Sequence, residues 1–417
     1  MFKFLELQAR FRFYGKKSTY FFAFFHTLKG SLYKGNDVAL LEKEVSHFIK
    51  VKHAIAMSQG RVAIYHAVKS IIKPGQEVIL SPYTIYDVVN MVLAAGGTPI
   101  FADIESKSAN IDPKEIRKLI NSNTGAVLVT HLHGLSADMN HIKSICKQKK
   151  IPIIEDAAQA FGAKYNDNFL GSIGDIGIFS FGRVKNINGL YGGMLVTNKN
   201  TYAKKIRNEL KNFNKESRLK ILKRIISNLI SDIAISKPFF NFFSFWVFRY
   251  GCLNNNHNIN KLVQTEDGAS RCNQLPESYR TLMTPLQARI IFPQLKNVLR
   301  DNMIRISNAQ KYFSLLKSQN NLILPPELYD ESHIYLVFPV QVKNRWSAVK
   351  YLMKNNSDLV IQHYKNAADL KCFKEFYRNC PIARSVANKM ILLPCYPGYS
   401  PKNIKKISNN LNNFLHL

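Results

Sequence analysis

One segment carries most of the chemical information in this sequence. It reads Ile153-Ile-Glu-Asp-Ala-Ala-Gln159, followed by Gly171-Ser-Ile-Gly-Asp-Ile-Gly-Ile-Phe-Ser-Phe-Gly-Arg-Val-Lys185 and then by Gly192-Gly193. Asp156 leaves the end of an apolar run typical of a buried strand, and Lys185 follows a second such run. This pairing suits pyridoxal phosphate, because an acid keeps the pyridine nitrogen protonated while a lysine forms the Schiff base and moves the proton.

The surrounding sequence predicts an α/β domain. Between about Gly35 and Thr197, short apolar runs alternate with helical patterns. The runs are continuously apolar, which is typical of strands buried on both faces of a parallel sheet with crossover helices. We therefore expect a mostly parallel sheet. The clearest runs are 77–80, 98–101, 126–130 and 151–154.

With these motifs the chain resembles the DegT/StrS family of sugar aminotransferases, which are pyridoxal-phosphate enzymes of the aspartate-aminotransferase fold. The resemblance covers roughly residues 36–205 and 275–415. It implies a large cofactor-binding α/β domain with a mostly parallel sheet, and a smaller C-terminal α/β domain. The matching motifs are Glu155-Asp-Ala-Ala-Gln-Ala160, Gly174-Asp-Ile-Gly-Ile-Phe-Ser-Phe-Gly-Arg-Val-Lys185 and Gly192-Gly193-Met194.

The resemblance also implies a role for several residues at the cofactor. Lys185 would form the internal aldimine, and Asp156 would bond the pyridinium nitrogen. Gln159 would lie near the ring hydroxyl, and Ser180 would hold the phosphate. Lys185 is therefore the expected catalytic residue, and the other three are expected cofactor contacts.

Two departures from the family pattern lie close to the expected cofactor. Gly60 and Arg61 precede a predicted helix whose N-terminal N–H groups would face the phosphate. Arg61 replaces a small hydroxyl residue, so its guanidinium either substitutes for that contact or points toward an anionic substrate. Ile85 stands where the family has an aromatic residue stacked on the pyridine ring, and Tyr86 follows it. The ring contact is thus either apolar or shifted by one residue.

Three further candidates concern the substrate and the neighbouring subunit. The family carries an Asn whose side chain reaches the cofactor phosphate of the other subunit. Here Ser278-Tyr-Arg280 stands in its place, and Arg280 is the candidate for that role. His363 and Tyr364 match a late landmark of the family and are candidate substrate contacts. No cysteine and histidine spacing suits zinc, so no metal site is expected.

The charge of the chain is far from balanced. Its 417 residues include 58 Lys+Arg against 28 Asp+Glu, giving a formal net charge of +30. An anionic partner is therefore expected. Nucleic acid is disfavoured because no helix-turn-helix, finger or RNA-binding signature accompanies the charge. The start of the sequence lacks a continuous apolar stretch and a cleavage site typical of export, so a cytoplasmic protein is expected.

Much of the excess charge lies in two segments that the resemblance does not clearly cover. The insert combines a predicted basic amphipathic helix with an aromatic run from Phe239 to Phe248, a pattern typical of a membrane interface. Packing against a partner subunit fits the same pattern, so both alternatives remain open. The predicted organisation is a basic aromatic arm (1–36), a large domain (37–210), a basic insert (211–265) and a small domain (266–417).

The resemblance predicts a homodimeric aminotransferase. It would move an amino group from an amino acid, by resemblance glutamate, to a keto sugar. The favoured acceptor is a nucleotide-linked deoxysugar used for surface polysaccharide. The alternatives are the same chemistry on a lipid-linked or cyclitol ketone, and a non-catalytic regulator or membrane adaptor built on this fold. A dehydratase of the same fold would carry a different base in place of Lys185.

Overall fold

The computed structural model describes residues 6–13, 17–262, 268–328, 330–361 and 364–417. Up to Leu210, helices alternate with short strands, as the sequence pattern predicts. The helices are α1 (Lys17–Leu28), α2 (Asp37–Ile49), α3 (Gly60–Ile71), α4 (Tyr86–Ala94), α5 (Pro113–Leu119), α6 (Met139–Lys149) and α7 (Asn200–Leu210). The strands are β1 (His53–Met57), β2 (Glu77–Leu80), β3 (Tyr83–Thr84), β4 (Thr98–Phe101), β5 (Thr124–Thr130), β6 (Ile153–Asp156), β7 (Lys164–Tyr165), β8 (Asn168–Phe169), β9 (Ile176–Ser180) and β10 (Gly193–Thr197).

A seven-stranded sheet organises this part of the molecule. Its strand order is β1-β10-β9-β6-β5-β2-β4, and only β10 runs antiparallel to its neighbours. Along β5, Ala126 and Leu128 pack into the core on one face, while Val127 and Val129 pack into the core on the other. Both faces of the strand are therefore buried, which explains its continuously apolar sequence. The predicted mostly parallel sheet is confirmed.

The insert is helical from Arg218 onward. Ser217 caps its first helix by accepting a hydrogen bond from the Lys220 N–H. The helix packs against α1, where Tyr20 and Ala23 share a core with Ile225. Among the described residues, no helix is long and apolar enough to cross a membrane. The elements are β11 (Asn214–Lys215), α8 (Arg218–Ala234), α9 (Lys237–Phe239), a π-helical stretch (Phe240–Ser244), α10 (Phe245–Leu253) and α11 (His257–Lys261).

Much of the remaining chain forms a smaller α/β unit, while the helix Pro285–Leu295 packs into the core of the large sheet. Its antiparallel sheet has the order β13-β14-β17-β15 and packs against helices of the same unit. The elements are β12 (Thr281–Leu282), α12 (Pro285–Leu295), α13 (Val298–Leu315), β13 (Leu322–Ile323), β14 (Phe338–Val342), α14 (Arg345–Lys354), β15 (Val360–Ile361), β16 (Lys365–Asn366), α15 (Pro381–Lys389), β17 (Met390–Leu393) and α16 (Pro401–Leu415).

The arm and the insert do not stand apart from these two units. Leu7 and Ala9 of the arm, together with Phe240 and Phe245 of the insert, lie in the core of the smaller unit. Burying a side chain as large as phenylalanine stabilises a fold by about 1.5–3 kcal/mol. Both segments are therefore structural parts of the molecule. The domain boundaries drawn from the sequence stay a prediction.

Candidate active site

A cavity of about 510 Å³ lies at the carboxyl ends of the parallel strands. Thr130, Asp156 and Ser180 are the last residues of β5, β6 and β9, and each lines this cavity. Parallel strands place the residues at their carboxyl ends along one edge of the sheet, which is the usual ligand site of α/β folds. The sheet therefore brings together polar side chains that lie far apart in sequence.

Asp156 is buried, Lys185 is partly buried, and both side chains line this cavity. One oxygen of Asp156 accepts the N–H of Ala158 at 3.1 Å. Burial raises the pKa of the Asp156 carboxyl, while the Ala158 N–H and the charge of Lys185 oppose that rise. Burial lowers the pKa of Lys185, and Asp156 acts in the opposite direction. A lowered pKa favours the uncharged amine, which is the nucleophilic form of lysine.

The N-terminus of α3 and the end of β9 form a cradle suited to a phosphate. Gln59 and Gly60 line the cavity beside Ser180. A Cβ on Gly60 would lie 2.9 Å from the Cβ of Ser180, and one on Gly193 would lie 2.7 Å from the backbone of Gln59. Glycine is therefore required for this close approach. Unpaired N–H groups and the helix dipole favour an anion here, so the residues present fit the phosphate of pyridoxal phosphate.

Arg61 also lines the cavity, but it has partners within the chain. Its guanidinium forms an ion pair with Asp87 of α4 and donates to the Tyr279 hydroxyl at 2.8 Å. An anion that approached Arg61 would compete with the Asp87 carboxylate for the same N–H groups. The two interpretations drawn from the sequence, contact with the cofactor phosphate or with an anionic substrate, both stay predictions.

Gln159 connects the large sheet to the smaller unit. Its Oε1 accepts the backbone N–H of His133 at 2.9 Å, and its Nε2 donates to the Tyr364 hydroxyl at 3.0 Å. The ring of His133 lies beside those of Tyr83 and Tyr364, with ring centres 6.4 and 6.5 Å away. Burial lowers the pKa of His133 to about 3, so the ring is neutral at physiological pH. Gln159 therefore holds Tyr364 at the wall of the cavity.

The other predicted site residues divide into two groups. Ile85 lines the cavity, whereas Tyr86 packs against the adjacent core, so the apolar alternative for the ring contact agrees with the geometry. Arg280 is exposed, lies 3.5 Å from Glu277 and does not line the cavity of its own chain. His363 lies outside the described residues. The roles predicted for these residues stay predictions.

Glu155 has a structural role that the sequence motif did not reveal. The carboxylate is completely buried and accepts the N–H groups of Gly171, Ile173 and Gly174 at 2.9, 2.7 and 2.5 Å. His131 Nε2 lies 3.1 Å from the same carboxylate. Glu155 thus fixes the loop that leads into β9, and so it positions Ser180 and the chain that follows.

We expect the Glu155→Gln variant to lower the free energy of unfolding by about 2–4 kcal/mol. An amide has one acceptor oxygen, so at least one loop N–H would face a donor and lose its hydrogen bond while buried. Chemical denaturation measures the loss. Glu44→Gln, at an exposed position of α2, is the matched control and should leave stability almost unchanged. Equal stability of the two variants would contradict this structural role.

The arm and the insert supply the outer wall of the cavity, which sequence reasoning missed. Arg10 pairs with Asp358 at 2.5 Å and lies 5.7 Å from the ring centre of Phe248. The basic and aromatic composition of the arm and the insert marked both segments as unusual, but it did not indicate that they contact each other. The lining residues from these segments are Ala9, Arg10, Phe11, Phe13, Ser231, Ala234, Ile235, Phe240, Phe248 and Leu262.

The fold and this site together define the class of protein. The structure matches that of NtdA from Bacillus subtilis, solved with bound cofactor PMP, with a TM-score of 0.73 and 21% identity, over 96% of this chain and 82% of NtdA. The chain belongs to the DegT/DnrJ/EryC1/StrS aminotransferase family, which its sequence matches over residues 24–231 and 249–412. The expected family and fold are confirmed. The match includes part of the arm and most of α8.

Two curated relatives show how the similarity is distributed. The spore coat polysaccharide biosynthesis protein SpsC of Bacillus subtilis is 40% identical over 179 residues, which are 43% of this chain and 46% of SpsC. The chain therefore spans about half of the length of SpsC. The dTDP-3-amino-3,6-dideoxy-alpha-D-galactopyranose transaminase of Aneurinibacillus thermoaerophilus is 26% identical over 91% of this chain and 90% of the relative.

Proposed function

We propose that this chain is a pyridoxal-phosphate-dependent aminotransferase that moves an amino group from an amino acid to a keto sugar. One observation carries the proposal: a buried carboxylate, Asp156, and the partly buried amine of Lys185 line one cavity beside a phosphate cradle. The favoured acceptor is a nucleotide-linked keto-deoxysugar used for surface polysaccharide, with glutamate as the donor. The names of the two relatives support this choice of acceptor.

The binding residues have distinct tasks in this proposal. When bound, the cofactor supplies an electron sink that stabilises the charge left on the amino acid when its Cα loses a proton. Ser180 and the first N–H groups of α3 hold the phosphate. As a carboxylate, Asp156 would keep a proton on the pyridine nitrogen through its negative charge, which acts more strongly in a buried site than in water. Ile85 provides an apolar contact that excludes water from one side of the site.

Lys185 moves the proton. Burial lowers the pKa of its amine, which favours the uncharged form that can accept a proton. Lys185 would take the proton from the donor Cα and deliver a proton to the cofactor carbon that bears the amino nitrogen. The same residue serves the acceptor half-reaction in reverse, so the two substrates react in turn and ping-pong kinetics follow.

A homodimer forms part of the proposal. Arg280 does not line the cavity of its own chain and is about half exposed, so it is accessible to a second subunit. Its predicted task is to contact the cofactor phosphate across the interface.

A second acceptor class, a keto sugar carried on a lipid, is favoured by one observation. The outer wall of the cavity is largely apolar and aromatic, with Phe11, Phe13 and Phe248 among its lining residues. A nucleotide would be expected to meet more polar groups there. The inner cavity and its chemistry are the same for both acceptor classes.

The proposal is tested by supplying the full chain with cofactor and glutamate, then with a panel of keto-sugar nucleotides. We expect one equivalent of 2-oxoglutarate without any acceptor, and then an amino sugar identified by its mass. If glutamate gives no 2-oxoglutarate, and no other amino acid gives its keto acid, the aminotransferase proposal fails. If the donor reacts but every nucleotide sugar is refused, the lipid-carried acceptor replaces the nucleotide-linked one.

A further inference from the structure

Helix α8 has two apolar sides, and the described part of the chain covers only one of them. Ile221 and Ile225 are buried against α1. Ile226, Ile230 and Ile233 lie four and three residues apart, which places them on one side of the helix. All three are exposed, as is Leu219 seven residues before Ile226. A soluble helix normally turns polar residues to water, so this side of α8 is expected to have a binding partner.

The same pattern occurs on the neighbouring helices. Helix α1 buries Tyr20, Ala23 and Thr27 but exposes four phenylalanines within five residues. More than half of the large apolar side chains exposed by the described residues lie on α1 or from Leu219 to Tyr250. We call this set the apolar face. It consists of Phe21, Phe22, Phe24, Phe25, Leu28, Leu219, Ile226, Ile230, Ile233, Phe239, Phe242, Phe243, Val247 and Tyr250.

Exposed basic residues occur in the same segments as the apolar face. Residues 216–262 contain seven Lys/Arg and two acids, Glu216 and Asp232, and Glu216 pairs with Lys220 and Arg224. Lys29, Lys223 and Lys237 are all exposed. Apolar side chains bordered by positive charge are the combination by which a helix lies in the interface of an anionic bilayer.

We propose that the apolar face docks this protein on an anionic lipid surface. The charge argues against a second copy of the chain as the occupant. In a symmetric dimer the same patch meets itself, so the basic residues of both copies would face each other and repel. Anionic headgroups supply the opposite charge, and the acyl region accepts the phenylalanine and isoleucine side chains. The proposal does not rest on the aminotransferase activity, because binding is measured without turnover.

Docking would bring the cavity close to the lipid surface. Ser231, Ala234 and Ile235 line the cavity from α8 and the residue that follows it, while Ile230 and Ile233 point to solvent. Leu262 lines the cavity and is also 75% exposed. The apolar face and the outer wall of the cavity therefore share one helix.

Vesicle flotation of the full chain tests the proposal. We expect retention on equimolar phosphatidylserine and phosphatidylcholine at low salt, and little retention on phosphatidylcholine alone or at high salt. The double variant Phe242→Ser with Phe243→Ser should bind the anionic vesicles at least about tenfold more weakly than the wild type. Leu40→Ser with Trp346→Ser is the matched control, since these two residues are similarly exposed but lie outside the face. The control should bind like the wild type.

Three results would overturn the proposal. The first is a wild type that anionic vesicles do not retain at low salt. The second is a control that loses as much binding as the face variant. The third is a face variant that binds vesicles normally but changes from dimer to monomer by light scattering, which would assign the face to a subunit interface. Equal unfolding midpoints for both double variants verify that the comparison concerns folded protein.

Discussion

We expect the Lys185→Ala variant to turn over its amino donor at least about 10⁴-fold more slowly than the wild type. The substitution removes the amine that moves the proton and also the group that bonds covalently to the cofactor. Formation of 2-oxoglutarate from glutamate measures the first effect. Borohydride reduction of the loaded protein, followed by peptide mass analysis, measures the second. The wild type should carry the cofactor on the peptide that contains residue 185, and the variant should not.

Lys107→Ala is the matched control for Lys185→Ala. Lys107 is exposed, so its replacement removes the same charge and the same number of atoms without reaching the cavity. Wild-type turnover is expected for this control. A Lys185→Ala variant that keeps more than about a hundredth of the wild-type rate would contradict the proposed proton transfer, whatever the state of the covalent bond.

The Asp156→Asn variant is expected to lose about 10²–10⁴-fold in turnover. Asparagine has nearly the same shape, and its side-chain oxygen still accepts the Ala158 N–H, so the fold should be retained. It carries no negative charge, however, and therefore stabilises a protonated pyridine nitrogen less well. Single-turnover measurement of the donor half-reaction separates this effect from product release. Asp167→Asn, at an exposed turn, is the control and should react normally.

The pH profile distinguishes a loss of charge at Asp156 from general damage. Burial raises the pKa of this carboxyl, so the carboxylate is protonated at a higher pH than that of an ordinary aspartate. The wild-type rate should fall as the pH drops through that raised pKa. Asp156→Asn has no carboxyl there to titrate and should lack this decline. If the rate of Asp156→Asn falls at acidic pH in the same way as that of the wild type, titration of Asp156 is not the cause of the fall.

The common location of Asp156, Ser180 and Lys185 in one cavity could be expected from the sequence because the parallel sheet turns sequence motifs into spatial neighbours. Asp156 and Ser180 end two adjacent strands, and the motif spacing places Lys185 in the loop beyond the second. These positions depend on local strand patterns and on the rule that carboxyl ends share one edge. The helical insert was also predicted from a local pattern, since its apolar residues recur at helical spacing.

The contacts in the outer wall of the cavity could not be predicted in the same way. Arg10 meets Asp358 across most of the length of the chain, and no local pattern indicates which residue completes such a pair. The same holds for Arg61, whose ion pair with Asp87 depends on how α3 packs beside α4. The role of Glu155 was hidden for a different reason. Its partners are backbone N–H groups, which every residue except proline provides.

The position of α8 has a thermodynamic consequence. Ala234 borders the cavity, while its neighbour Ile233 belongs to the exposed side of the helix. Any ligand that changes the position of this helix therefore acts on both surfaces. If lipid contact strengthens acceptor binding by some factor, the bound acceptor must strengthen lipid contact by the same factor. An enzyme of this form would leave the membrane more readily once its product has dissociated, so occupancy of the cavity and residence on the lipid would rise and fall together.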